Sequence, residues 1–243
     1  MKSAAKKKNK TVVLLVVPPH SKAPGQSPRS ITLDSANHFA VLAGATVDNT
    51  GKTAVRGGDV GTSHGPEITG FPPGTVAAPH TKRTADAVAL QAHTDLTTAY
   101  NAAEAMPPTH DLSGQDLGGL TLLPGVYRFS AGATLNGTLT LKDQDDPDAQ
   151  FIFQIGTTLT TSGGSSIISI DGTAHSWVKS NVLWQVGGSA TLGADSAFAG
   201  NILARGDITF RKDAMIRHGS VLSQFGNVTL DSNRVSKSDH PGR

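Results

Sequence analysis

The chain has 243 residues, 37% of them apolar and 16% charged, with 27 glycines, 5% aromatic residues and no cysteine. Without thiols, disulfides, thiolate nucleophiles and zinc–thiolate centres are excluded, and the many glycines among few aromatic side chains describe an all-β protein of tight turns and thin layers. The formal charge of +2 is unevenly placed, because residues 1–30 hold Lys2, Lys6, Lys7, Lys8, Lys10, Lys22 and Arg29 and no acid, leaving 14 basic against 19 acidic residues beyond them. A mildly acidic body is a poor phosphate-neutralising surface, so nucleic acid is not an expected partner.

Residues 1–30 start basic and continue into the apolar run Val12 to Val17, in the manner of the n- and h-regions of a secretory signal. The run is one residue short of the usual minimum, and no small-x-small cleavage site precedes the Pro/Ser/Lys stretch from Pro18 to Ser30. Export is the expectation, with a disordered cytosolic basic tail as the alternative. No other apolar run approaches the length of a membrane span.

Ile31 opens the first convincing β pattern, and the folded unit is expected over 31–235, followed by a tail at 236–243. Ile31–Leu33 and Phe39–Ala43 read as strands, and Phe71-Pro-Pro-Gly74 as a turn. Thr84 to Ala105 breaks the pattern: it lacks Gly and Pro, and places Val88, Ala92, Leu96, Ala99 and Ala103 at helical spacing. Thr84 is the expected N-cap, Asp86 falls in the first turn, and Pro107-Pro108 stops the helix. A helix of that length, roughly 33 Å, matches about seven stacked strands, so it is expected to run along the axis of a stack.

Beyond the helix, Leu120–Tyr127, Thr134–Leu141, Phe151–Ile155 and Val182–Val186 alternate as strands between Gly- or Asp-rich turns. Gly188-Ser-Ala-Thr191-Leu192, Gly206-Asp-Ile-Thr209-Phe210 and Gly226-Asn-Val-Thr229-Leu230 then share one Gly-x-x-Thr-apolar frame. A repeat this short means a solenoid, whose units bury their apolar faces only by stacking. Its surface chemistry recurs at a fixed spacing, which suits a periodic ligand. A second alignment puts Phe153, Trp184, Leu203 and Leu222 in one inward column, with Gln154, Gln185, Ala204 and Ser223 as outward neighbours. On that alignment the threonines of the frame are scaffold that holds the coils in register.

No Gly-x-Ser-x-Gly elbow, P-loop, dinucleotide glycine pattern or His-Glu-x-x-His motif occurs, and the nine histidines are scattered singly. The acidic run Asp143-Gln-Asp145-Asp146-Pro-Asp148 offers hard oxygen ligands but lacks the glycine and terminal glutamate of a calcium loop, so a solvated turn is the simpler reading. Asn136-Gly-Thr138 and Asn227-Val-Thr229 are formal glycosylation sequons, read as chance in a Thr-rich chain.

The wording of several stretches resembles the large microbial ice-binding protein family. The matching segments are Phe39–Gly44, Ile68–Gly74, Leu117–Tyr127, Phe151–Ile155, Leu183–Val186, Gly200–Ala204 and Val228–Asp231, in order over about 31–235. The resemblance implies a mainly β fold, a discontinuous right-handed parallel β-solenoid of irregular triangular coils with one long α-helix alongside. It also implies a secreted, non-enzymatic monomer without cofactor or metal that adsorbs to ice through a flat β face of small residues. Its activity would then be thermal hysteresis and inhibition of ice recrystallisation. Here that face would hold Ala43, Ala45, Ala204 and Ser223, with Gln154 and Gln185 nearby. Arg205, Arg211, Lys212, Arg217 and Arg234 depart from the family's small neutral residues and would spoil the face if they projected from it. The alternatives are an adhesive or structural solenoid that binds a polysaccharide or cell surface and, behind it, a β-helical carbohydrate-active enzyme, for which no converging acids are visible.

Overall fold

A computed structural model describes residues 31–142, 150–169 and 181–237. The signal-like N-terminus, the acidic run at 143–148 and the segment 171–180 lie outside the described residues, as does the tail beyond 237. Three parallel sheets enclose one apolar interior. Sheet A has nine strands in the spatial order Lys82–Thr84, Asp59–Thr62, Phe39–Ala43, Val221–Ser223, Asn201–Ala204, Val182–Val186, Phe151–Ile155, Gly125–Phe129 and His110–Asp111. Sheet B orders Ala133–Leu135, Leu159–Thr161, Ala190–Leu192, Ile208–Phe210, Val228–Asp231, Val47–Thr50 and Ile68–Thr69. Sheet C orders Thr75–Val76, Ala54–Arg56, Arg234–Ser236, Met215–Arg217, Ala197–Ala199, Ser166–Ser169, Thr138–Leu141 and Thr121–Leu122.

The stack is discontinuous in sequence. Phe39–Ala43 pairs with Asp59–Thr62 on one side and with Val221–Ser223 on the other. The same closure recurs in sheet B, where Val47–Thr50 meets Val228–Asp231, and in sheet C, where Ala54–Arg56 meets Arg234–Ser236. Between the early and late coils, helix α1 (Ala87–Glu104) carries the chain to the far end of the stack, from which the later coils build back to the first.

Inside, the side chains stack as the strands do. His110, Tyr127, Phe153 and Trp184 follow one another with ring centroids 5.0, 5.4 and 3.8 Å apart, and Trp184 meets Phe198 at 4.8 Å. Burial at this depth requires partners for the polar tips. The Trp184 indole N–H donates to the Ala199 carbonyl at 3.0 Å, and the Tyr127 hydroxyl donates to the Leu123 carbonyl. Burial pushes the Tyr127 phenol up to about 12.

The inward column differs from the expected one beyond Trp184. Trp184 pairs with Ile202 and Gln185 with Leu203, followed by Ile202 with Val221 and Leu203 with Leu222. The alignment is thus shifted by one residue, which exchanges the two faces of the strand. Ile202 and Val221 line the interior, while Leu203 and Leu222 lie under α1 with Phe39, Leu42, Val126, Ile152 and Leu183. Because sheet A is buried on both faces, its strands are apolar at both parities and hydrophobicity does not say which residue points which way.

Helix α1 has 18 residues, about 27 Å, and is shorter than the expected 84–105. Thr84 ends an edge strand of sheet A, and the cap is Asp86, whose carboxylate accepts from the Ala89 N–H at 2.8 Å. The buried stripe is Ala89, Ala92, Leu96, Ala99, Tyr100 and Ala103, whereas Val88 is 39% exposed. Alanines at four of the six buried positions let the helix backbone approach the sheet closely.

The Ala89 N–H bond, with help from Arg83, holds the Asp86 carboxyl below its usual 3.8. Its contribution is therefore present above that value and is lost as pH falls through the folded-state value. Asp86→Ala is expected to cost about 1 kcal/mol in denaturant unfolding at neutral pH. Asp86→Asn, which keeps the cap without the charge, should lose less stability than the parent on acidification.

Candidate functional site

Five of the six small or neutral residues expected on an exposed face are buried in sheet A. Ala43, Ala204 and Ser223 are 0% exposed at the interior end of their strands. The Ser223 hydroxyl donates to the Gly206 carbonyl at 2.8 Å and accepts from the Gly226 N–H at 2.9 Å, fastening a corner of the coil. Gln154 and Gln185 point to the helix side. The Gln154 amide donates to the carbonyls of Ala103 (2.8 Å), Glu104 (3.3 Å) and Met106 (2.7 Å), satisfying acceptors that the end of α1 leaves open. Gln185 donates to the Tyr100 hydroxyl at 2.7 Å. Ala45 is half-buried in the turn into sheet B, where its N–H donates to Gly226 O at 3.1 Å. The sheet-A grouping is corrected accordingly: the one-residue shift turns Ala204 and Ser223 inward, and α1 covers the other side.

Of the two remaining sheets, C presents Arg56, Arg217 and Arg234, together with exposed Ile168 and half-buried Met215. Arg205 sits at the corner between A and B, with its guanidinium carbon 5.9 Å from the Tyr100 ring centre. Arg211 and Lys212 occupy the turn from B to C.

Sheet B is different. Its strands alternate strictly: Ala133, Leu135, Leu159, Ala190, Leu192, Ile208, Phe210, Val228 and Leu230 turn into the core. The residue between each pair turns out, and in register these are Thr134, Thr160, Thr191, Thr209 and Thr229, followed by Asp48 and Thr69. With parallel strands about 4.8 Å apart, the five threonines span roughly 20 Å. Carboxylates pin the two ends. Thr134 donates to Asp116 at 2.6 Å, and Thr69 donates to Asp48 at 2.9 Å. Among the described residues, the hydroxyls of Thr160, Thr191, Thr209 and Thr229 have no protein partner and are left to water. Charge meets the row at its ends, at Asp116 and at Asp48 in register beside Thr229, and otherwise lies to the side, at Asp207, Arg211 and Asp231 in the flanking positions.

Three of these threonines belong to the Gly-x-x-Thr-apolar frame, expected to serve as scaffold, and they share one column on the outer side of the sheet. The glycine of the frame is the scaffold part. A Cβ on Gly226 would lie 2.4 Å from the Asp207 nitrogen, and one on Gly206 would lie 2.8 Å from the Ser189 hydroxyl oxygen, so coils stack closely at this corner. Thr134 and Thr160 follow Ala131 and Thr157 at the same offset. Their coils lack the glycine that made the repeat noticeable.

These features define a three-sided β-solenoid with one side sealed by a helix, one basic, and one an uncharged, regularly stacked row of threonines. The chain belongs to the ice-binding-like family, whose profile matches residues 41–236. It is 49% identical over 204 residues to an ice-binding protein of Nostoc sp. (strain HG1), covering 84% of this chain and 73% of that one. The crystal structure of an ice-binding protein from the Antarctic ascomycete Antarctomyces psychrotrophicus superposes with a TM-score of 0.80 at 39% identity, over 87% of this chain and 100% of the other. An ice-binding protein from an Antarctic biological consortium gives 0.81 at 41% identity, over 91% and 95%.

The burial of Ala204 and Ser223 has a direct consequence. Replacing either with Tyr forces a ring into a filled interior and is expected to destabilise by about 1–3 kcal/mol or more, seen as a lower denaturation midpoint. An unchanged midpoint would return these residues to the surface.

Proposed function

We propose that the protein adsorbs to ice through the outward column Thr134, Thr160, Thr191, Thr209 and Thr229, lowering the growth temperature of crystals and inhibiting recrystallisation. The observation that carries this reading is the unbroken register of five threonines with uncharged heads, four of them unengaged by the protein. Each hydroxyl gains little net energy on exchanging liquid water for ice, because water already satisfies it. Affinity must therefore come from many weak contacts made without a further ordering cost. Threonine suits this: branching at Cβ restricts χ1, and the strand ladder fixes the backbone, so methyl and hydroxyl groups are arranged before ice is met. Their spacing is that of the strands, close to the repeat of water oxygens in an ice lattice plane.

Charged side chains hold hydration water tightly and move on long stems, which opposes a fit to a lattice. Their placement in sheet C and at the margins of B keeps the column clear, so Arg205, Arg211, Lys212, Arg217 and Arg234 do not argue against ice. The reading requires no cofactor, metal or catalytic group and is complete in one copy of the chain. Export is the reading that suits ice met outside the cell, in keeping with the basic-then-apolar start of the sequence; residues 1–30 are read as lying outside the ice-binding unit, whereas the boundary expected at 236 falls within the strand Arg234–Ser236.

Thr191→Tyr or Thr209→Tyr is expected to remove most thermal hysteresis, measured in a nanolitre osmometer. The melting temperature of the protein should stay near that of the parent, because the side chain points to water. Activity that survives both substitutions, or an inactive parent at high micromolar concentration, would sink this assignment.

A further inference from the structure

We propose that the exposed side of sheet C is a second binding surface, formed by Arg56, Arg217 and Arg234, that holds a linear polysaccharide bearing carboxylate groups. Three adjacent strands carry the three guanidiniums. Arg56 and Arg217 each align with Ser236 of the strand between them, and Arg234 of that strand aligns with Ala54 and Met215. Arg56 and Arg217 therefore share a column two strands apart, about 10 Å, with Arg234 between them in the adjoining column.

Like charges at such separations repel. Among the described residues, none of the three forms an ion pair; Arg83 is the arginine that does, with Asp59 and Asp86. The outward positions of the sheet are otherwise Thr75, Ala54, Ser236, Met215 and, farther along, small residues, Ile168 and threonines, with no acid among them. An external anion completes this arrangement. A guanidinium takes a carboxylate through two parallel N–H···O bonds, and Ala54 and Met215 between the arginines offer apolar contact to sugar rings. An extended chain of uronic acids brings carboxylates at regular intervals, as the strands bring arginines.

Nucleic acid fits less well. Among the described residues the face has no aromatic side chain on which bases could stack, and three cations are few against the many phosphates that non-specific binding neutralises at physiological salt. The surface also faces away from the threonine column, so a matrix polymer held on sheet C leaves sheet B open to ice.

The test is binding of the full-length protein to polyuronate (alginate) by isothermal titration or affinity electrophoresis, with dextran as the neutral control. Salt-sensitive binding to polyuronate and none to dextran is expected. The triple variant Arg56→Gln/Arg217→Gln/Arg234→Gln should bind on the order of tenfold or more weakly with an unchanged melting temperature and unchanged thermal hysteresis. Lysine at the three positions should recover only part of the binding, because the forked contact is lost. Thr209→Tyr should bind polyuronate like the parent, so failure of the ice reading and failure of this one are separable. Equal binding by the triple variant would assign the attraction to the basic residues of 1–30 and overturn the proposal. Tighter binding of single-stranded DNA or of anionic lipid vesicles than of polyuronate would overturn it as well.

Discussion

The packing of α1 on sheet A is the contact on which the other features depend. Its alanine stripe presses on Phe39, Leu42, Val126, Ile152, Leu183, Leu203 and Leu222, so the central strands of one sheet are dry on both sides. The helix is also the route by which the chain changes ends. Only because it returns along the stack can the Val221–Ser223 strand close on Phe39–Ala43. The closure joins parts of the sequence about 180 residues apart, and the Ser220 hydroxyl marks the seam by donating to Phe39 O at 2.9 Å. Stability of the early coils is thus tied to that of the last ones, and a solenoid that would otherwise have two independent halves becomes one unit.

The same contact accounts for what the sequence reveals and what it hides. In sheet B, one face meets the core and the other meets water, so the alternation of Leu159-Thr160-Thr161 or Ile208-Thr209-Phe210 carries orientation directly. In sheet A, Asn201-Ile-Leu-Ala has apolar side chains on both sides of the strand, and nothing local separates an alignment of Trp184 with Leu203 from one with Ile202. The observed register is set by tertiary fit, with the Trp184 ring above Phe153 and the Gln185 amide on Tyr100. The two glutamines illustrate the difficulty. A polar residue in a strand ordinarily signals the wet face, and here each is buried because the helix offers it acceptors. Solenoid, helix and repeat were legible from periodicity, and the family resemblance added the discontinuous order. The face proposed to meet ice was not, because the threonine row that looked like packing is outward and the sheet-A row that looked outward is packed.

Sheets B and C divide the surface by charge, although both are parallel ladders built on the same coils. Two coils contribute a threonine to B and, a few residues later, an arginine to C: Thr209 with Arg217 and Thr229 with Arg234. The turns between them bear Lys212 and Asp213, or Ser232 and Asn233. Since each sheet averages its own side of every coil, a solenoid can repeat two unrelated surface chemistries at the same spacing without either entering the other's face. Net charge therefore says little about such a protein; the mildly acidic body includes one neutral and one basic side.

A free threonine hydroxyl on sheet B adds little to folding, as it forms no bond within the protein and loses none to water. The residues that hold the column straight are elsewhere: the leucines, valines and alanines of the inner row, the close approach of coils at Gly206 and Gly226, and the carboxylates of Asp116 and Asp48 at the ends. Rigidity and the proposed recognition of ice are consequently carried by different side chains of the same short strands. That separation is what allows a surface with weak individual contacts to act as a unit. The core sets the spacing once, for all five threonines, and any departure in one coil is resisted by its neighbours on both sides and by α1 across the stack.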